Sequence, residues 1–319
     1  MRPCSRGTTT LWLGIITCYN RHMYSPELPT SRDIFRLIEQ HGEPFAEVGE
    51  QRVSIPGLEY DEGKTVEVDP RVIAASGIVY ANGSRLTDAL YMHGAKTVLP
   101  LEKAYDYVAG HLSRPTEESL VIGTSGFATA VSSGYKDEAA LLYTMYDYAD
   151  RTRANLALSI DGASRPGILG LNVAAANLHN IPTLGYIPLK GLADMLPHDH
   201  LVISGNKYKQ RQAHVGTTPD LLTVYGGRGG TLSECEAAIK AGGVVLQCNA
   251  RVYGSEDLPN TYQQSDILRE AVEKQQFIIH NPEDDMDETF GFAIGRAIEL
   301  AEENRPARRT ALAGLLDVA

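Results

Sequence analysis

The stretch LLTVYGGRGGTLSE, residues 221–234, gives the clearest indication of the fold. Its first five residues predict a buried strand, and the residues from Thr231 onward predict a helix. Between them the glycines permit a sharp turn and bring backbone N–H groups close to any ligand, since no Cβ stands in the way. The helix start adds unpaired N–H groups and the positive end of the helix dipole. A strand, a glycine-rich turn and a helix in this order favour a site for a phosphate or another anion.

Four of the five residues at positions 226–230 are glycine, which favours such a site over a turn that binds nothing. Glu234 follows Thr231 by three residues, a spacing that suits a capping box as well as catalysis. The loop lacks the Gly-Lys-Ser/Thr ending of the commonest phosphate loop, and no acidic residue follows at the spacing of dinucleotide-binding proteins. The residues expected to contact the anion are Gly226, Gly227, Arg228, Gly229, Gly230 and Thr231.

Short apolar segments alternate with helical patterns along the chain after residue 115. Strands are predicted at 119–122, 156–160, 183–188, 200–204, 221–225, 244–247 and 277–280. Helices are predicted at 135–150, 173–177, 206–212, 231–241 and 267–274, with one more at the end. The strands lack period-2 alternation, so they are expected to be buried on both faces. The pattern predicts an α/β fold, a Rossmann-like parallel sheet flanked by helices.

Glycine-bearing turns follow three of the predicted strands, after residues 122, 160 and 224. Ligands of parallel sheets bind beyond the carboxyl ends of the strands, so these turns are expected to meet at one rim. Three such turns together favour a nucleotide site more than any one of them does. Besides the loop at 226–231, the residues expected to line it are Gly123, Thr124, Ser125, Gly162, Gly167 and Gly170.

A polar, proline-containing segment at 112–118 separates this pattern from the residues before it. Residues 1–115 are predicted to form a smaller N-terminal α+β region, with a helix at 31–40 and a strand at 77–80. No role is assigned to that region. Residues 116–319 are predicted to form the nucleotide-binding domain.

Composition restricts the partners. A net charge of −11 argues against a nucleic acid polymer or an acidic membrane, since either would require a basic face. The apolar run at 11–18 is short for a signal peptide and is interpreted as a strand. No other run approaches membrane-spanning length. The acidic run at 283–288 is interpreted as a solvated helix start rather than a metal site.

The four cysteines lie far apart, at positions 4, 18, 235 and 248, without a spacing typical of zinc sites. A reduced, cytoplasmic protein is the simplest interpretation. Cys235 lies near a predicted helix start, where a thiol pKa can be lowered, but a core thiol is the favoured interpretation. Neither a metal nor another cofactor is predicted.

Several segments follow the motif order of one known family. They are Gly123-Thr124-Ser125, Gly162-Ala163-Ser164, Gly167-Ile168-Leu169-Gly170, Ile187-Pro188 and 226–234. Through them, residues 119–300 resemble the LOG-like group of Rossmannoid nucleotide-binding proteins, in the SLOG superfamily. This group includes cytokinin-activating phosphoribohydrolases and proteins misnamed lysine decarboxylases. Its signature Pro-Gly-Gly-x-Gly-Thr-x-x-Glu aligns without a gap with 226–234, and its catalytic arginine falls at Arg211.

The resemblance implies hydrolysis of the N-glycosidic bond of a nucleoside 5′-monophosphate, which releases the free base and ribose 5-phosphate. The sugar acquires positive charge in that reaction, and Glu234 would stabilise the charge or activate water. Arg211 would hold phosphate or ribose oxygens, and the N–H groups of 227–231 would cradle the phosphate. A homodimer is also implied, because family members pair through helices beside the site.

The chain departs from the family pattern at Gly226, Arg228, Ala163, Ser164 and Gln212, where the family has proline, three glycines and lysine. An arginine in the glycine loop would either add a bidentate grip on phosphate or fill the space of the usual ligand. The departures leave open a second hypothesis, a nucleotide sensor without catalytic activity.

Overall fold

Apolar segments form the strands that position the candidate site. The computed structural model describes residues 44–48, 51–54, 78–80, 97–99, 101–115, 119–126, 135–152, 154–163, 168–188, 196, 198–205, 208–227, 229–249 and 261–318. Strands β1 to β3 are Pro44–Val48, Gln51–Ser54 and Ile78–Tyr80. Strands β4 to β11 are Thr97–Leu99, Leu120–Gly126, Leu156–Asp161, Thr183–Ile187, His200–Ile203, Leu221–Tyr225, Val244–Cys248 and Phe277–His280.

Helices occupy the connections between these strands. Helices α1 to α7 are Leu101–Leu112, Tyr135–Thr152, Ile168–Leu178, Tyr208–Thr217, Gly229–Lys240, Asp266–Glu273 and Met286–Val318. A short 3₁₀ helix, Thr261–Gln264, precedes α6, whose start is capped by the Ser265 hydroxyl accepting from the N–H of Leu268.

The central sheet has eight strands in the order β11-β10-β9-β5-β6-β7-β8-β4. All neighbouring pairs in it are parallel. From β5 the chain moves outward through β6, β7 and β8, then returns to the other side of β5 at β9 and continues through β10 to β11. Successive strands are thus added on one side of β5 and then on the other, so the direction of the strand order reverses between β5 and β9. Open α/β sheets bind their ligands at such a reversal point. The predicted α/β fold, a parallel sheet flanked by helices, is confirmed.

Two apolar layers cover the sheet. One contains side chains of α2, α3 and the first half of α7, among them Leu142 and Phe290. The other contains side chains of α1, α4, α5 and α6 together with Leu312 of α7. Every residue of β7, β9 and β10 is buried. Burial on both faces explains why these strands read as continuous apolar segments.

A buried ionic cluster fastens α7 at the amino edge of the sheet. Asp220 precedes β9, and its Oδ2 accepts the backbone N–H of Val121 at 2.9 Å. Arg305 donates to the same oxygen at 2.6 Å, and its guanidinium also reaches the Ser119 carbonyl at 2.5 Å. Arg308, which is fully buried, donates to Asp220 Oδ1. One carboxylate thus pairs with two buried guanidinium groups at the edge opposite the glycine turns.

Some elements differ from the sequence-based expectations. Helix α3 begins at Ile168, five residues before the predicted start, and α5 begins at Gly229 rather than Thr231. Strand β4 pairs with β8, and α1 packs in the second apolar layer, so both belong to the main sheet assembly. Before them, β1, β2 and β3 form a small antiparallel sheet. The helix predicted at 31–40, the apolar run at 11–18, Cys4 and Cys18 lie outside the described residues.

Candidate functional site

The candidate site lies where β5 and β9 end side by side. Ser125 of β5 pairs in register with Val224 of β9, and Gly126 with Tyr225. Beyond Tyr225 the chain turns through Gly226 and Gly227, whose φ angles are +60° and +112°. These values lie in the region that glycine adopts without cost, which accounts for the glycine pair. The turn leads directly into α5.

Glu234 points back from α5 toward this strand end. The Ser125 hydroxyl donates to Glu234 Oε2, and the Arg211 Nη2 atom lies 3.6 Å from Glu234 Oε1. The residue is only 4% exposed. Burial raises the pKa of Glu234 above its ordinary value, although the Arg211 charge and the Ser125 hydrogen bond both act to lower it. A buried carboxylate of this kind can accept a proton or stabilise a neighbouring positive charge.

Arg211 reaches the site from α4. Its Nη1 donates to the Gly162 carbonyl at 3.2 Å, and its guanidinium lies over the Tyr208 ring, 4.9 Å from the centroid. A Cβ at Gly162 would stand 2.9 Å from the Arg211 Cζ, so the arginine occupies the space that a side chain there would need. The end of β5 and the turn after β6 therefore contribute to one cluster, together with α4 and α5.

The start of α5 lies at the turn where the sequence predicts an anion-binding site. Gly229 and Gly230 are the first two residues of the helix, and Thr231 is buried as the third. Gln212 of α4 lies against this turn, since a Cβ at Gly230 would be 2.7 Å from its Nε2. The Glu234 carboxylate is held by Ser125 and Arg211, which favours the site interpretation over the capping box.

Other predicted rim residues have different surroundings. Gly123 lies inside β5 against Pro219, and Gly170 is buried inside α3. The Thr124 hydroxyl donates to Asn172 at 2.8 Å, on the sheet face opposite Ser125. Gly167, Arg228 and Ser164 lie outside the described residues. Ser125 and Gly162 are thus the rim residues that contact Glu234 and Arg211.

Sequence reasoning missed a buried pair beside the Gly162 turn. Asp161, the last residue of β6, accepts from the ring of His198 at 2.9 Å, and both side chains are fully buried. The carboxylate also accepts from Asn172 of α3 at 3.0 Å. The sequence did hold a signal for Asp161, because a charged residue that ends an apolar strand lies at the carboxyl edge, where ligands bind. No local pattern identifies His198 as its partner.

Two further observations concern metals and membranes. Within the described ranges, no group of three or more histidine, cysteine, aspartate or glutamate side chains is arranged to hold a metal ion. None of the helices in the described part of the chain has the length and apolarity needed to cross a membrane. Cys235 and Cys248 are buried, and burial raises the pKa of the Cys235 thiol, as expected of a core thiol.

Comparison with known proteins gives structural matches alone. No family model matches the chain, and no curated protein matches it. A molybdenum cofactor binding protein from the phototrophic bacterium Rippkaea orientalis is 18% identical, with 58% of this chain and 96% of that chain covered, at a TM-score of 0.40. The Moco carrier protein from Chlamydomonas reinhardtii is 14% identical, with 58% and 98% covered, at a TM-score of 0.42.

Proposed function

We propose that this chain binds a nucleoside 5′-monophosphate at the reversal point between β5 and β9 and hydrolyses its N-glycosidic bond. The observation that carries the proposal is the buried Glu234 carboxylate, held between the Ser125 hydroxyl and the Arg211 guanidinium beside a glycine turn. Few structural roles require a carboxylate whose pKa is raised by burial at the ligand-binding edge of a parallel sheet. The reaction would release free base and ribose 5-phosphate.

The phosphate is proposed to bind at the start of α5. The N–H groups of Gly229, Gly230 and Thr231 have no partners within the helix, because they belong to its first turn. The helix dipole adds favourable potential for an anion, and two glycines allow close approach of the phosphate oxygens. In this arrangement the ribose would extend from α5 toward Glu234.

The chemistry is assigned to Glu234 and a water molecule. As the C1′–N bond lengthens, its electron pair moves to the base and positive charge develops on the sugar. Glu234 would stabilise that charge and take a proton from the water whose oxygen bonds to C1′. The base leaves after it has gained a proton from solvent. A carboxylate with a raised pKa suits this role, because general-base efficiency improves as the pKa approaches the working pH. Arg211 would orient the carboxylate and hold ligand oxygens.

A panel of nucleoside 5′-monophosphates tests this proposal. The purified protein is incubated with each, and free base and ribose 5-phosphate are followed by chromatography. Release from at least one nucleotide, dependent on Glu234, is the expected result. Absence of both release and binding across the purine and pyrimidine nucleotides would refute the proposed function.

A second candidate is a nucleotide-binding module without hydrolysis. It is favoured by one feature, the engagement of both Glu234 carboxylate oxygens by Ser125 and Arg211. Saturable binding of a nucleotide without release of base, in the same panel, would establish this alternative.

We further propose that the protein is a homodimer in a reducing, cytoplasmic setting. Sedimentation equilibrium tests whether the dimer forms.

Substitution of Gly162 by alanine is expected to lower kcat/KM for the nucleotide by about 100-fold, because a displacement of the catalytic groups by about 1 Å costs that much. The added Cβ would lie 2.9 Å from the Arg211 Cζ and would push the guanidinium away from Glu234. Gly295→Ala is the matched control, since a Cβ there has no heavy atom within 4 Å. Equal activity of Gly162→Ala and the wild type would contradict the role given to Arg211.

A further inference from the structure

The turn that receives Arg211 is held by a network of buried hydrogen bonds. Asp161 Oδ1 accepts the backbone N–H of Ala163 at 2.7 Å, which closes an Asx-type turn around Gly162. The Ala163 carbonyl in turn accepts the N–H of Leu196 at 2.9 Å. Ala163 has a φ of +48°, a conformation that costs energy for a residue with a Cβ. Such a conformation persists when its surroundings enforce it, and here the enforcing group is the Asp161 carboxylate.

The geometry around His198 defines its protonation state. Nε2 lies 2.9 Å from Asp161 Oδ1, and Nδ1 lies 3.0 Å from the Leu196 carbonyl oxygen. A carbonyl oxygen can only accept a hydrogen bond. As a carboxylate, Asp161 also acts only as an acceptor, and it receives the Ala163 N–H and the Asn172 amide as well. With an acceptor at each ring nitrogen, His198 is assigned as an imidazolium paired with a carboxylate.

The His198 pKa agrees with this geometry. Burial alone would lower it, but the charge of Asp161 and the two hydrogen bonds raise the pKa above the ordinary histidine value. The charge of Asp161 thus favours the protonated form of the buried His198 ring.

We propose that the Asp161–His198 pair is the positioning element of the site, which fixes the turn whose Gly162 carbonyl holds Arg211 beside Glu234. The chain of contacts is continuous. His198 holds Asp161, Asp161 closes the turn on Ala163, and the Gly162 carbonyl accepts from Arg211 at 3.2 Å. The consequence for catalysis rests on the proposed function, whereas the positioning of Arg211 does not.

The pair also contributes to the electrostatic field at Glu234. The groups that face it from the neighbouring elements are Glu234 of α5, Arg211 of α4, Tyr146 of α2 and Asp199 before β8. The Asp161 charge acts to raise the pKa of Glu234. Loss of the imidazolium would leave Asp161 uncompensated and raise the pKa of Glu234 further, whereas loss of the carboxylate would not.

His198→Gln tests the proposal, because glutamine can still donate to Asp161 but has no charge. We expect kcat/KM to fall about 10- to 100-fold, as for other residues that orient a functional group. The acid limb of the pH profile should also move upward. Asp161→Asn should leave that limb in place or move it down. His179→Gln is the control, since it removes another histidine–aspartate pair, to Asp147 at 3.3 Å, at the far end of α3.

A spectroscopic measurement separates this inference from the proposed function. In ¹⁵N-labelled wild-type protein at pH 7.5, both ring nitrogens of His198 are expected to be protonated. The Arg211 side-chain N–H resonance should shift in His198→Gln and in Asp161→Asn but not in His179→Gln. A neutral His198 ring, or an Arg211 resonance that no variant moves, would overturn the inference. These readouts require no ligand, so they remain decisive even if no nucleotide is bound or hydrolysed.

Discussion

Replacement of Glu234 by glutamine is expected to lower kcat for nucleotide hydrolysis by at least about 100-fold, because removal of a general base or charge-stabilising group typically has an effect of that size. The amide keeps the size of the side chain and can still accept from Ser125. Nucleotide binding through the start of α5 should persist. Rates are measured with the nucleotide that the wild type hydrolyses best.

The same substitution is expected to stabilise the fold at neutral pH. Because burial raises the pKa of Glu234, the folded protein binds this proton more tightly than the unfolded chain does. The free energy of unfolding therefore falls as the pH rises from the unfolded pKa of about 4.3 through the raised folded value. Glutamine has no charge to desolvate, so its advantage should appear above that window and vanish below it.

Thermal unfolding at pH 4 and pH 7 measures this difference. The control is Glu270→Gln, which alters an exposed ion pair with Lys274 and should change neither rate nor Tm appreciably. Retention of more than about a tenth of the wild-type kcat by Glu234→Gln would contradict the catalytic role, since a general base contributes about 100-fold or more. A lower Tm at pH 7 would contradict the electrostatic account.

Replacement of Asp220 by alanine is expected to cost about 3 to 5 kcal/mol of unfolding free energy. Its carboxylate is shared by Arg305 and Arg308, and both guanidinium groups are buried where water cannot replace it. Burial already lowers the pKa of Arg308. Without Asp220, both buried guanidinium groups would lose the carboxylate that they share.

Urea unfolding monitored by circular dichroism gives the free energy of this change. Asp266→Asn removes a carboxylate from an exposed pair with Arg269 and should cost less than about 1 kcal/mol. A cost for Asp220→Ala as small as that of the control would show that the cluster contributes little, and that α7 is held by its apolar contacts alone.

The strands were predictable from sequence because each is buried on both faces. Leu221–Tyr225 and Phe277–His280 have almost no exposed residue, so their apolar character is continuous and bounded by turns. Helix starts were less predictable. Gly229 and Gly230 read as a turn because glycine disfavours helices, but in the first helical turn few intrahelical bonds constrain them.

The core of the candidate site was predictable where one motif supplied it. Glu234 was predicted from the glycine stretch, and Ser125 from the end of the strand at 119–122. Arg211 was predicted because it aligns with the catalytic arginine of the LOG-like family. The pairing of Asp161 with His198 was not predictable, because it joins residues 37 positions apart through tertiary packing. The burial of Arg305 and Arg308 has no local signal in the sequence either, and their contact with Asp220 explains it.

A crystal structure of Glu234→Gln soaked with the best-bound nucleoside 5′-monophosphate tests whether the reversal point between β5 and β9 binds a nucleotide by its phosphate. We expect phosphate oxygens within hydrogen-bond distance of the N–H groups at the start of α5, with the ribose C1′ facing residue 234. A nucleotide bound elsewhere, or one whose base rather than phosphate contacts the start of α5, would contradict it.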